Sequence, residues 1–158
     1  MTCSAIGQDS HRFEKDNSRK LCILGGVTFP EVPGLEANSD GDVVLHALTN
    51  AISGLTCNNI LGEIADDMCA EGITDSSEYV KRALESLPDE SLVHVSFSIE
   101  CARPKITPRI PEMRETIAEL LGISPMHVGI TATSGEGLTS FGKGDGIAVT
   151  CIATADII

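Results

Sequence analysis

The chain has 158 residues, enough for one domain over residues 1–158 with a core that needs no disulfide staples. Hydrophobic residues make up 42% and charged residues 22%; with no Trp, one Tyr and four Phe, the core must be built from Val, Ile, Leu and Ala. A net charge of −12 excludes a nucleic-acid backbone or an anionic membrane as the main partner, since both need clustered Lys and Arg, but leaves open a phosphorylated small molecule bound through metal.

Asp9-Ser10-His11 comes first. In an extended segment residues i and i+2 point to one face, so the carboxylate and the imidazole can reach one ion. Alone, such a tripeptide is more often a surface segment without a role. Lys20 to Phe29 is apolar and β-prone, a strand or hairpin bent at Gly25-Gly26, and Pro30 to Asn38 is a loop. Ser39 is expected to open a helix, with Asp42 completing a capping box. Val44, Leu48, Ala51, Ile52 and Leu55 form its buried stripe, and Asp42, His46 and Asn50 share a polar, exposed face. Asp9, His11 and His46 together would make three ligands with an open fourth position, the arrangement of a catalytic zinc site.

A second helix is expected from about Ser76 to Leu87, with Tyr79, Ala83 and Leu87 on one side. Leu92 to Cys101 alternates as a strand, with Val93, Val95, Phe97 and Ile99 on one face. Arg103-Pro104-Lys105 follows, two cations at a strand end that could contact phosphate or be solvated. A third helix runs from about Pro111 to Leu121 and stops at Gly122. Val128 to Thr133 is a strand that runs into a glycine-rich loop, Ser134 to Gly146, before a last strand from Ile147 to Thr154. Such a loop lets backbone N–H groups approach phosphate oxygens, and Glu136 within it could hold a hard cation. The order β-β-α-α-β-α-β-β predicts an α+β (α/β sandwich-like) domain, one mixed β-sheet with helices packed on one face. The six scattered cysteines read as reduced thiols of a cytoplasmic protein; Met1 to Ser10 lacks the apolar segment of a signal peptide, and no run reaches the ~20 apolar residues of a membrane helix.

In this order and spacing, QDSHRF, LGGVTFP, ANSDGDVVLHAL, ARPK…IPEMR and ATSGEGL with FGKGDGIA resemble the 2-C-methyl-D-erythritol 2,4-cyclodiphosphate synthase family, from about Cys3 to Ile158. The resemblance implies a lyase of the non-mevalonate isoprenoid route that converts 4-diphosphocytidyl-2-C-methyl-D-erythritol 2-phosphate to the cyclic diphosphate with release of CMP. It implies Zn²⁺, or another divalent transition metal, on Asp9, His11 and His46, and Mg²⁺ or Mn²⁺ on Glu136. Asn38 and Ser134 are expected to stabilise the transition state. Substrate contacts are implied for Asp9, Ser10, His11, Asn38, Ser39, Asp40, Gly62, Glu63, Ala102, Pro104, Lys105, Ala132, Thr133, Ser134, Glu136 and Lys143. The assembly implied is a homotrimer with sites between subunits and with Lys143 and Asp145 near its axis. Asn38 stands where the family usually has His, Ser134 where it has Thr, and Asn50 where it has Asp. Glu63 is aligned with an Asp that binds the erythritol hydroxyls, across an insertion and a deletion.

Overall fold

The computed structural model describes residues 1–157. Its strands are β1 (Thr2–Arg12), β2 (Leu21–Leu24), β3 (Val27–Pro33), β4 (Leu92–Glu100), β5 (Val128–Thr133) and β6 (Gly146–Asp156); its helices are α1 (Val43–Thr56), α2 (Glu63–Ala70), α3 (Ser76–Leu84) and α4 (Ile110–Leu121). Four strands form a mixed sheet in the order β1-β6-β4-β5, in which only β4 and β5 run parallel. The expected mixed sheet with packed helices is present, but β2 and β3 stand apart from it as a two-stranded hairpin turning at Gly25 and Gly26.

Alternation along the strands sorts the two faces. Ile147, Val149, Cys151, Ala153 and Ala155 of β6 and Val95, Phe97 and Ile99 of β4 are buried beneath the helices. α1 lies across β1 and β6, α4 sits beside β5, and α3 packs on α1. Close approach of α1 to β1 depends on Gly7, where an added Cβ would sit 2.2 Å from the Ala51 backbone nitrogen. The opposite face of the sheet carries Ile6 and Ile152 at 65% and 46% exposure, directly across from each other on β1 and β6.

Several expectations are corrected. β1 extends well beyond the Asp9–His11 segment expected to be extended, and α2 is a helix where none is expected. The first helix begins at Val43, with Asp42 rather than Ser39 as N-cap, its side chain accepting from the Leu45 N–H. Its polar face is not exposed: Val43 to Thr49 are all buried, His46 included. α3 ends at Leu84, three residues short of Leu87, although Leu87 is buried as expected. Val93 points away from the face of Val95, because the pairing of β4 with β6 shifts register between Leu92 and His94. α4 and its Gly122 C-cap, left-handed at φ 69°, agree with the sequence reading.

Candidate metal centre and its surroundings

Asp9 and His11 leave β1 on the side facing α1, as i,i+2 residues of a strand must. His46 lies at the start of α1 and meets them there. Asp9 Oδ2 is 2.9 Å from His11 Nε2 and 3.1 Å from His46 Nδ1, and the two ring nitrogens are 3.0 Å apart. A carboxylate oxygen and two imidazole nitrogens thus converge on one point, a donor set suited to a divalent transition metal. Burial would push the Asp9 carboxyl up, but hydrogen bonds and charge from His11 and His46 outweigh it and hold the group below the ordinary carboxylate range. Asp9 is therefore a carboxylate at any physiological pH, as a ligand must be.

Two anchors fix α1 beneath the strand. The fully buried Asp42 carboxylate accepts from the N–H groups of Gly25 (2.8 Å), Gly26 (2.7 Å) and Leu45 (3.1 Å), tying the hairpin turn to the helix start. Its burial pushes its pKa up to about 6 against those three N–H groups, which favour the anion. On the outer side, the Asn50 side chain donates to the Gln8 carbonyl at 3.1 Å.

The three ligand atoms open into a cleft of about 470 Å³ also lined by Asn38, Ser39, Gly62, Asp66, Cys69 and Tyr79. Asn38 is exposed at its edge. Gly62 reaches the cleft, whereas Glu63, exposed at the first position of α2, is absent from its lining. Asp40 turns away from it, and its carboxylate accepts from the Ser76 N–H and hydroxyl and from the Asp42 N–H. The sequence reading missed Asp66, Cys69 and Tyr79 as cleft residues. Tyr79, expected only on one side of the second helix, has a buried ring, and its hydroxyl donates to the Ile73 carbonyl at 2.7 Å and lies 2.9 Å from Cys69 Sγ. The lone Tyr of the chain was the only signal available.

The remaining predicted residues form a second group. The Cys101 N–H donates to the Thr133 carbonyl (3.1 Å) and the Ala102 N–H to the Phe141 carbonyl (2.9 Å), so the Arg103–Lys105 segment and the glycine-rich loop lie together. Ala102, Lys105, Ala132, Thr133, Ser134, Glu136 and Lys143 are exposed there, while Pro104 is buried. The Ser134 hydroxyl accepts from the Glu136 N–H at 3.2 Å. Glu136 has φ 48°, flanked by Gly135 at 71° and Gly137 at 75°, three left-handed residues in a row. Ser10 lies on β1 beside His11 and faces away from α1.

Paired residues form a row Asp9–Val149–Ile99–Ala132 across all four strands. With strands ~4.8 Å apart, about 14 Å of sheet separates Asp9 from Ala132. The two groups therefore sit at the same end of one sheet but on its opposite edge strands.

The chain matches the sequence profile of the YgbB family over residues 3–156. It is 54% identical over 151 residues to the Chlamydia felis protein named 2-C-methyl-D-erythritol 2,4-cyclodiphosphate synthase, covering 94% of this chain and 86% of that one. Among solved structures, a 2C-methyl-D-erythritol-2,4-cyclodiphosphate synthase superposes with TM-score 0.85 at 25% identity over 98% of this chain and 100% of that one. The bifunctional IspDF of Campylobacter jejuni superposes with TM-score 0.88 at 27% identity over the whole of this chain, which spans 43% of that longer protein. Sequence and fold agree, and the chain belongs to the YgbB family, the family of the 2-C-methyl-D-erythritol 2,4-cyclodiphosphate synthases.

Proposed function

We infer that the protein converts 4-diphosphocytidyl-2-C-methyl-D-erythritol 2-phosphate to 2-C-methyl-D-erythritol 2,4-cyclodiphosphate and CMP, a phosphorus–oxygen lyase reaction of the non-mevalonate isoprenoid route. The observation that carries this reading is the convergence of Asp9, His11 and His46 on one point at the wall of an open cleft, in a chain 54% identical to a synthase of that name. An oxygen of the substrate's 2-phosphate attacks the β-phosphorus, and the bond from that phosphorus to the bridging oxygen breaks to release CMP. Both reacting groups belong to one molecule, so the protein contributes position and charge rather than a nucleophile.

Asp9, His11 and His46 would hold Zn²⁺, and Glu136 would hold Mg²⁺ or Mn²⁺ on the diphosphate. A metal at each place supplies Lewis acidity and neutralises phosphate charge. Asn38, exposed at the edge of the cleft, would donate its side-chain N–H to a phosphate oxygen, and Ser134 would offer a hydroxyl to the same end. Lys105, Ala132 and Thr133 form the expected cytidine side, with Lys143 nearby. Strain at Glu136 supports a role for its carboxylate: a non-glycine residue held left-handed costs about 1–2 kcal/mol.

A homotrimer accounts for the separation of the two groups. They lie on opposite edges of one sheet, so a neighbouring copy can bring its glycine-rich loop to this chain's metal edge. The expected cytoplasmic location agrees with six free cysteines. Metal analysis tests the first step: the wild type should carry one zinc per chain, and His46→Ala should lose most of it. Full zinc in His46→Ala would remove the trio from this role.

A further inference from the structure

We propose that Ser76, clamped by Asp40, is a positioning residue for the metal centre, fixing His46 in the tautomer that turns its Nδ1 lone pair toward Asp9 and His11. This rests on the metal reading above and assigns it a support from a distant element. Ser76 is the first residue of α3, 30 positions beyond His46, and is fully buried. His46 Nδ1 faces Asp9 and His11, while its Nε2 lies 2.8 Å from Ser76 Oγ and 3.2 Å from Ser39 Oγ.

Proton bookkeeping gives the direction. A carboxylate only accepts, and a serine hydroxyl has one hydrogen to give. The Ser76 hydroxyl donates to Asp40 Oδ1, and the Ser76 N–H donates to Asp40 Oδ2 at 3.0 Å. A lone pair of Ser76 Oγ is then what faces His46, so Nε2 must carry the hydrogen and Nδ1 must be bare. The reverse arrangement, with Ser76 donating to Nε2, would set its oxygen lone pair against a carboxylate oxygen. Ser39 is the longer contact, and a Ser39 hydroxyl donating to Nε2 would leave that nitrogen's lone pair facing the Ser76 oxygen lone pair at 2.8 Å. Asp40 is in turn held by its own N–H on the Thr74 carbonyl at 2.9 Å. The chain Asp40–Ser76–His46 thus does the work that a carboxylate in direct contact does for many metal-bound histidines.

The test is titration of Zn²⁺ alone, against a competing chelator, into metal-free wild type, Ser76→Ala, Asp40→Asn and the double variant, each checked for folding by circular dichroism. Ser76→Ala should weaken zinc about 10–100-fold. Asp40→Asn should weaken it in the same direction, and the double variant should bind no worse than Ser76→Ala, because the effect of Asp40 runs through Ser76. Long-range ¹H–¹⁵N spectra of the zinc-loaded wild type should show His46 ligating through Nδ1 with hydrogen on Nε2. Cobalt-loaded Ser76→Ala should show an altered visible spectrum, which a packing defect far from the metal would not produce. If Ser76→Ala does not fold, Asp40→Asn carries the same affinity and spectral test. Wild-type zinc affinity in a folded Ser76→Ala, additive losses in the double variant, or Nε2 ligation in wild type would each overturn the proposal while leaving the metal centre intact. Failure of the wild type to bind zinc would overturn the metal reading and this inference together.

Discussion

Asp9, His11 and Glu136 obey different constraints, and the sequence discloses them unequally. The two-residue spacing of Asp9 and His11 carries its own geometry, because a strand has only two faces. His46 does not: helical periodicity put it on an exposed polar face, and the structure buries it at 6% exposure against β1. Helix periodicity says which residues share a side, not what covers that side. Glu136 was legible only as a carboxylate among glycines; its left-handed backbone appears in the structure. Glu136→Gln keeps its shape and removes its charge, so zinc content should stay at the wild-type level while turnover falls by roughly 10²-fold, the scale of one lost electrostatic stabiliser. Mass spectrometry for zinc and a rate titration with Mg²⁺ check this, and added Mg²⁺ should restore part of the rate.

Among elements, the helices with a stripe and a stop were readable and the irregular ones were not. α4 has Pro111 near its start and Gly122 past its end, and its expected bounds agree with those observed to within a residue. β1 escaped because its inward residues are Cys3, Ala5, Gly7, Asp9 and His11, small or polar where a strand pattern looks for large apolar ones. Those residues are small because α1 lies directly on them, so the feature that hid the strand is the one that builds the site. α2 escaped because only Ala65 of its eight residues is buried. The α1 start was misplaced by three residues because Ser39 and Asp42 are both good caps; Asp42 takes the position since its carboxylate also serves the hairpin turn. Asp42→Asn should therefore cost more than an ordinary cap change. Its new NH₂ must face one of three backbone donors inside the protein, leaving that N–H unpaired at about 1–3 kcal/mol. Thermal melting should fall by roughly 2–4 °C per kcal/mol for a chain of this size.

For the whole molecule, the order of elements pointed to the α+β class, and the family resemblance pointed to the chemistry. The hairpin's separation from the main sheet and the edge-to-edge distance between the two groups came only with strand order, which pairs residues far apart in sequence. That order gives the trimer reading a test. His46→Ala and Glu136→Gln should each be nearly inactive, yet after mixing and subunit exchange should regain about a quarter of wild-type activity, since some interfaces then pair two intact halves. No recovery after verified exchange would place both groups in one chain's site. In the trimer reading, neighbouring copies would cover the open sheet face with the exposed Ile6 and Ile152.

The central claim is the cyclisation itself, and phosphorus NMR reads it directly. Purified protein with Zn²⁺, Mg²⁺ and 4-diphosphocytidyl-2-C-methyl-D-erythritol 2-phosphate should convert the substrate's three phosphorus signals into the two of the cyclic diphosphate and one of CMP, in equal molar yield. A substrate spectrum left unchanged by zinc-loaded, folded protein would contradict the account.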